Sequence, residues 1–171
     1  MYMRIYLIGL PGSGKSTIGR QLSLEMKMTF VDTDEEIIKQ EGNSIKEIFE
    51  KRGENYFRKV ESEVLKKVSQ IENVIISTGG GTPCFFDNMK VIKENGKSIF
   101  IDVSPEEIVS RMWATGNQNR PMTEGKSKEE LREFLSAKLK ERFGFYNQAD
   151  YHLKGNNLST KDIIKVLHSE V

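Results

Sequence analysis

Near the start of the chain, Gly9-Leu10-Pro11-Gly12-Ser13-Gly14-Lys15-Ser16 satisfies every position of G-x-x-x-x-G-K-S. Glycines at these places let the backbone wrap closely around an anion, with N–H groups and a helix N-terminus facing it. Lys15 can reach the β- and γ-phosphates of a nucleotide, and the Ser16 hydroxyl suits Mg2+. The alternative is a glycine-rich turn beside a surface lysine. A chance match in a chain this long is on the order of one in a hundred by ordinary residue frequencies. The segment from Gly12 to Thr17 therefore reads as a nucleotide phosphate site. Two further groups could act on a second substrate. Asp32 and Asp34 are two apart, so on an extended segment their carboxylates face the same way, one towards Mg2+ and the other towards an acceptor hydroxyl. Asp34 could equally cap a helix ahead of Glu35-Glu36, and both roles can hold together. Gly79-Gly80-Gly81 either forms a tight turn or presents backbone N–H groups to polar groups of that substrate.

A phosphate site does not by itself distinguish a switch GTPase, an ATPase and a small-molecule kinase. The chain contains no N-K-x-D for reading guanine. The apolar run Val74-Ile75-Ile76 ends in Ser77-Thr78, not in the acidic residue expected of a motor ATPase.

The elements needed to position these groups can be read from the pattern. Arg4 to Ile8 is a continuous apolar run ending in glycine, as in a strand buried on both faces. Ile18, Leu22 and Met26 stripe one face of a helix from Ser16 to Met26. Thr29–Asp32 is a second strand, which puts Asp32 at a carboxyl end, where open parallel sheets bind ligands. Helices follow over Asp34–Gln40, Ser44–Lys51 and Asn55–Ser69, broken at Gly42 and Gly53, with a capping box at Ser44-Ile45-Lys46-Glu47. A third strand over Asn73–Ser77 runs into the glycines, and a helix from Asp87 to Glu94 leads to a fourth strand, Ser98–Asp102. Ser104-Pro105 opens a helix to about Met112. The polar, aperiodic stretch 114–126 is expected to be an exposed, mobile loop. A long helix over Ser127–Gln148, a strand at Tyr151–Leu153 and a helix from Ser159 complete the chain. Alternating strands and helices predict right-handed crossovers and a three-layer α/β sandwich around a five-stranded parallel sheet.

Composition narrows the class. The 171 residues are the length of one domain, and 26 Lys+Arg against 25 Asp+Glu leave a net charge of +1. That balance argues against a dedicated nucleic-acid binder. A single cysteine, Cys84, excludes an internal disulfide and a Cys-based zinc site. The apolar run Ile5–Leu10 is too short to span a bilayer and lacks a signal-peptide layout. The expectation is a soluble, cytoplasmic, single-domain monomer.

Taken together, Gly9–Ser16, Asp32-x-Asp34, Gly53-Glu54-x-x-Phe57-Arg58-x-x-Glu61, Gly79-Gly80-Gly81, Arg120-Pro121 and Arg142-x-x-x-Tyr146 resemble shikimate kinase, from about Arg4 to His168. The resemblance implies a P-loop fold like that of the nucleoside monophosphate kinases, with the acceptor-binding region at about 33–61. It also implies transfer of the ATP γ-phosphoryl group to the 3-hydroxyl of shikimate, with Mg2+. Gly12, Ser13, Gly14, Lys15, Ser16 and Thr17 would bind ATP, and Ser16 and Asp32 would hold the metal, directly or through water. Asp34 would hold the ring hydroxyls and accept the 3-hydroxyl proton. Arg58, Gly79, Gly80, Gly81 and Arg142 would bind shikimate, the two arginines addressing its carboxylate. The stretch 114–126 would be a lid whose Arg120 closes over the nucleotide and the transferring phosphate, which makes Lys15, Asp34 and Arg120 the catalytic set. Phe49 and Phe57 would wall the ring. Without the resemblance, Arg58 and Arg142 would read as surface arginines on charged helices, and Phe49 and Phe57 as core. Ala114 to Asn119 is less basic than the family pattern. Arg20, Lys59, Lys66 and Lys67 read as solvated face, His152 and His168 as structural or surface, and Cys84 as a small packed residue. A kinase for another acceptor, such as a sugar acid or a nucleoside monophosphate, is the nearest competing reading. A nucleotide-binding module without turnover is the other.

Overall fold

The computed structural model describes residues 3–115 and 125–169. Five strands form one all-parallel sheet in the order β2-β3-β1-β4-β5: β1 (Arg4–Ile8), β2 (Thr29–Asp32), β3 (Val74–Ser77), β4 (Lys97–Asp102) and β5 (Tyr151–Lys154). Register places Tyr6 opposite Ile76 on β3, and Leu7 opposite Ile99 on β4. β1 is therefore central, and Ile5 to Ile8 are completely buried. This explains why its sequence is continuously apolar and does not alternate.

Right-handed crossovers assign the helices to faces. From β1 the chain moves outward to β2 through α1 (Lys15–Met26), then returns in the opposite direction for every later strand. The connections are α2 (Thr33–Glu41) and α3 (Ile45–Val68), then α4 (Asn88–Asn95), then α5 (Pro105–Ala114) and α6 (Lys128–Tyr146), and these cover the other face. The terminal α7 (Thr160–His168) joins α1, where the Thr160 hydroxyl donates to Glu25 at 2.7 Å. Side chains of β1 confirm the two faces. Leu7 lies against α1, where a Cβ on Gly19 would come within 3.0 Å of it. Tyr6 points the other way, and its hydroxyl donates to Ser69 at 2.8 Å. The strand order reverses at β1, and the crevice outside its carboxyl end is where such sheets bind ligands.

Local signals set the element ends. Ser44, Ser104 and Ser127 accept the backbone N–H three residues on, and Ser44 and Ser127 complete capping boxes with Glu47 and Glu130. The predicted break at Gly53 is a kink inside α3, with φ 79° and ψ 171°, a conformation essentially reserved for glycine. Arg120 and most of the stretch expected to form a lid lie outside the described residues.

Candidate active site

A cleft of about 530 Å3 opens at the carboxyl ends of the strands. The phosphate loop lines one end, and Phe49, Phe57, Arg58, the glycines 79–81 and Arg142 line the other. The loop follows β1 directly because its glycines tolerate what other residues do not. Gly12 and Gly14 have φ of 79° and 91°, and a Cβ on Gly12 would come within 2.6 Å of Met112. Lys15 is buried and folds back so that its ammonium donates to the Gly9 and Leu10 carbonyls at 3.0 and 2.7 Å. Those contacts tie the end of the loop back to its start.

Beside the loop, the Ser16 hydroxyl donates to Asp32 Oδ2 at 2.5 Å and lies 3.1 Å from the Ser77 hydroxyl. This all-oxygen group suits a hard cation such as Mg2+. Among the described residues no three or more His, Cys, Asp or Glu side chains form a metal cluster. An ion here would be shared with nucleotide phosphates, which is the usual way proteins hold Mg2+. The other oxygen of Asp32 accepts the backbone N–H groups of Asp34 at 2.9 Å and Glu35 at 3.4 Å. This corrects two expectations. The cap of α2 is Asp32 and not Asp34, and the two carboxylates do not share an extended segment, because the chain turns into helix at Thr33.

That turn places Asp34 deeper, between the two ends of the cleft. Desolvation pushes its carboxyl up to about 6, helped by the negative charges of Asp32 and Glu61 and opposed by Lys15 and Arg58. The glycines approach these groups closely. A Cβ on Gly79 would be 2.9 Å from Asp34 Oδ1, one on Gly80 2.6 Å from the Pro11 ring, and one on Gly81 2.6 Å from Arg58 Nη1. These spacings leave no room for a side chain at any of the three, and the Thr82 N–H donates to the Gly79 carbonyl at 3.1 Å, so the loop is also a tight turn.

Both arginines are inside the protein and not on its surface: Arg142 is 8% exposed and the Arg58 side chain 11%. Arg58 donates to Glu61 at 2.9 Å and to Glu54 at 3.2 Å, and its guanidinium lies 4.0 Å from the Phe85 ring centroid. Phe49 and Phe57 pack as a tilted pair, with centroids 4.6 Å apart, and serve as both wall and core. Several residues here had no role assigned from sequence. Glu61 is buried, ties Arg58 in place and accepts the Thr82 hydroxyl at 2.7 Å. Its spacing of three from Arg58 on a helix was the available signal. Asn88, wholly buried, donates to the Thr82 carbonyl at 2.9 Å and accepts from Ser62 at 2.7 Å. Thr33 accepts the Gly79 N–H at 3.1 Å. No local pattern marks Asn88 or Thr33, since their partners come from distant elements. Arg111 also lines the cleft, held by Glu107 at 2.8 Å.

The remaining readings fall outside the cleft. Cys84 is half-buried, and desolvation pushes its thiol up to about 11, as for a packed residue. His152 is structural: it pairs with Asp102 at 2.7 Å and stacks on Phe100 at 4.6 Å. Arg20 is exposed and pairs with Glu35.

Comparison with known proteins agrees with this geometry. The family model described as shikimate kinase matches residues 11–171. A shikimate kinase of Aquifex aeolicus is 42% identical over 167 residues, covering 98% of this chain and 95% of the relative. One from Phocaeicola vulgatus is 40% identical over 158 residues, covering 92% and 90%. Among solved structures, shikimate kinase from Bacteroides thetaiotaomicron superposes with a TM-score of 0.91 at 35% identity, covering 99% of this chain and 98% of that one. The enzyme from Acinetobacter baumannii, solved in complex with shikimate, superposes with a TM-score of 0.87 at 30% identity, covering 99% and 95%. Five parallel strands, a complete phosphate loop and an arginine-lined second chamber are thus joined to whole-length similarity, and the chain belongs to the shikimate kinase family.

Proposed function

We propose that the two ends of the cleft divide the shikimate kinase reaction between them, the phosphate loop holding ATP and the arginine-lined end holding shikimate. The observation that carries this division is Asp34: a carboxylate between Lys15 and Arg58, raised to about 6, at the junction of the two ends. The residues from Gly12 to Thr17 cradle the phosphates, and Lys15 exchanges the Gly9 and Leu10 carbonyls for phosphate oxygens. Ser16 and Asp32 hold Mg2+, which when bound neutralises phosphate charge. Arg58 and Arg142 take the substrate carboxylate, since planar guanidinium groups match it in bidentate geometry. Gly79, Gly80 and Gly81 bring backbone close to the ring. Asp34 orients the 3-hydroxyl and receives its proton as the acceptor oxygen bonds to the γ-phosphorus and the bond to the β-phosphate oxygen breaks. Phosphoryl transfer has a loose transition state, so positioning and charge neutralisation do most of the work. Arg120 closes over the transferring group and helps to exclude water, the competing acceptor.

We read the chain as one kinase domain, a cytoplasmic monomer acting on small molecules without nucleic acid or membrane. Its balanced charge supports the absence of a nucleic-acid partner. No helix among the described residues is long and apolar enough to cross a membrane. The test is ADP release with Mg·ATP and shikimate, quinate, gluconate, AMP or CMP, beside a control without acceptor. Turnover with shikimate and not with the others is expected. Turnover with a nucleotide acceptor would overturn the arginine assignment, and tight ATP binding without any turnover would favour a binding module.

A further inference from the structure

Tyr146 is wholly buried on α6, one turn beyond Arg142. Its ring packs against Phe100 of β4, with centroids 5.0 Å apart, so core packing fixes where the hydroxyl sits whether or not a substrate is bound. The hydroxyl donates to the Gly80 carbonyl at 2.5 Å, and Arg142 Nη1 lies beside the same glycine, 3.0 Å from where a Cβ on it would stand. The buried hydroxyl thereby ties α6, which carries Arg142, to the glycine loop after β3. Desolvation pushes this phenol well above its ordinary range, which keeps the donating proton in place. On its other side Gly80 abuts Pro11 of the phosphate loop, whose ring a Cβ on this glycine would approach within 2.6 Å.

We infer that Tyr146 is a positioning residue for the acceptor: its hydroxyl holds the Gly79–Gly81 loop to α6 beside the Arg142 guanidinium, and so sets the affinity for the substrate carboxylate. It touches neither substrate itself. The inference rests on the division of the cleft proposed above.

Tyr146→Phe removes the hydroxyl and keeps the ring. The expected result is a rise in KM for shikimate of about fivefold, the conversion of one lost neutral hydrogen bond. KM for ATP should stay within about twofold, because the phosphate loop is untouched. In an Arg142→Ala background the same change should add much less, since its route through the arginine is already gone. Equal rises for both substrates, or the full effect in the Arg142→Ala background, would overturn the inference. Titration calorimetry of shikimate onto the Phe variant at low temperature repeats the test should the variant be unstable during turnover, and undiminished affinity there would likewise overturn it. Wild-type protein is assayed alongside. If it turns over shikimate while the variant's KM is unchanged, only the positioning role fails. If it does not turn over shikimate at all, the reaction assignment fails and takes the inference with it.

Discussion

At the scale of single residues, Asp34 is the group whose environment matters most. Desolvation and two neighbouring carboxylates raise it to about 6, while Lys15 and Arg58 pull the other way. Its role needs the ionised form, so kcat/KM should fall about tenfold per unit as pH drops below about 6. Asp34→Asn should lower kcat by roughly 10^2 to 10^4 and remove that limb of a pH–rate profile. The same shift has a consequence for stability, with a definite sign. A carboxyl raised above its ordinary 3.8 favours the fold in its neutral form. That contribution is complete at low pH and is lost as pH climbs through about 6. Asp34→Asn should therefore raise the melting temperature of the ligand-free protein more at pH 8 than at pH 4, measured by scanning fluorimetry. Equal changes at both values would show that Asp34 ionises freely. Lys15, Ser16 and Asp34 were visible in the sequence because a motif or a short spacing marks them. Glu61 was visible as a motif position without a purpose, because its partner Thr82 lies across the loop after β3.

At the scale of elements, the acceptor wall depends on how α3 bends. Gly53 adopts φ 79° and ψ 171° with open space around its Cα, so the cost of a side chain there is backbone strain and not a clash. The bend sends the first half of α3, with Phe49, and the second half, with Phe57, Arg58 and Glu61, to a common cleft. Gly53→Ala should cost about 1–3 kcal/mol in urea unfolding. It should also raise KM for shikimate more than KM for ATP. A stability loss with both KM values unchanged would mean that the bend shapes the fold without shaping the site. The break itself could be read from glycine between helical stretches. Its angle could not, because that depends on what the two halves pack against.

At the scale of the whole molecule, one sheet carries both ends of the cleft: β1 leads into the phosphate loop, β2 into Asp32, and β3 into the glycines. Nucleotide and acceptor should therefore stabilise the same cooperative unit. Calorimetric unfolding is expected to show a single transition, shifted upward by either ligand, with a gain of about 2.7 kcal/mol at a hundredfold excess over Kd. Two transitions, of which only one responds to ATP, would contradict the single-domain reading. With charges balanced overall, attraction of two anionic substrates falls to a few local cations.

The order of strands and helices, the phosphate loop and the carboxyl-end location of Asp32 were determined by sequence alone. Each rests on local chemistry: apolar runs, capping serines and glycines at turns act within a few residues of themselves. Tertiary structure decided the rest. It made Asp32 the helix cap and sent Asp34 into the cleft, because the chain turns at Thr33. It buried Arg58 and Arg142, which on their helices alone look like surface charges, and enclosed Arg58 between Glu54, Glu61 and Phe85. It also brought the hydroxyl of Tyr146 to Gly80, 66 positions away in the chain. Burial and long-range pairing depend on which faces meet across the sheet, and no local window of sequence contains that information.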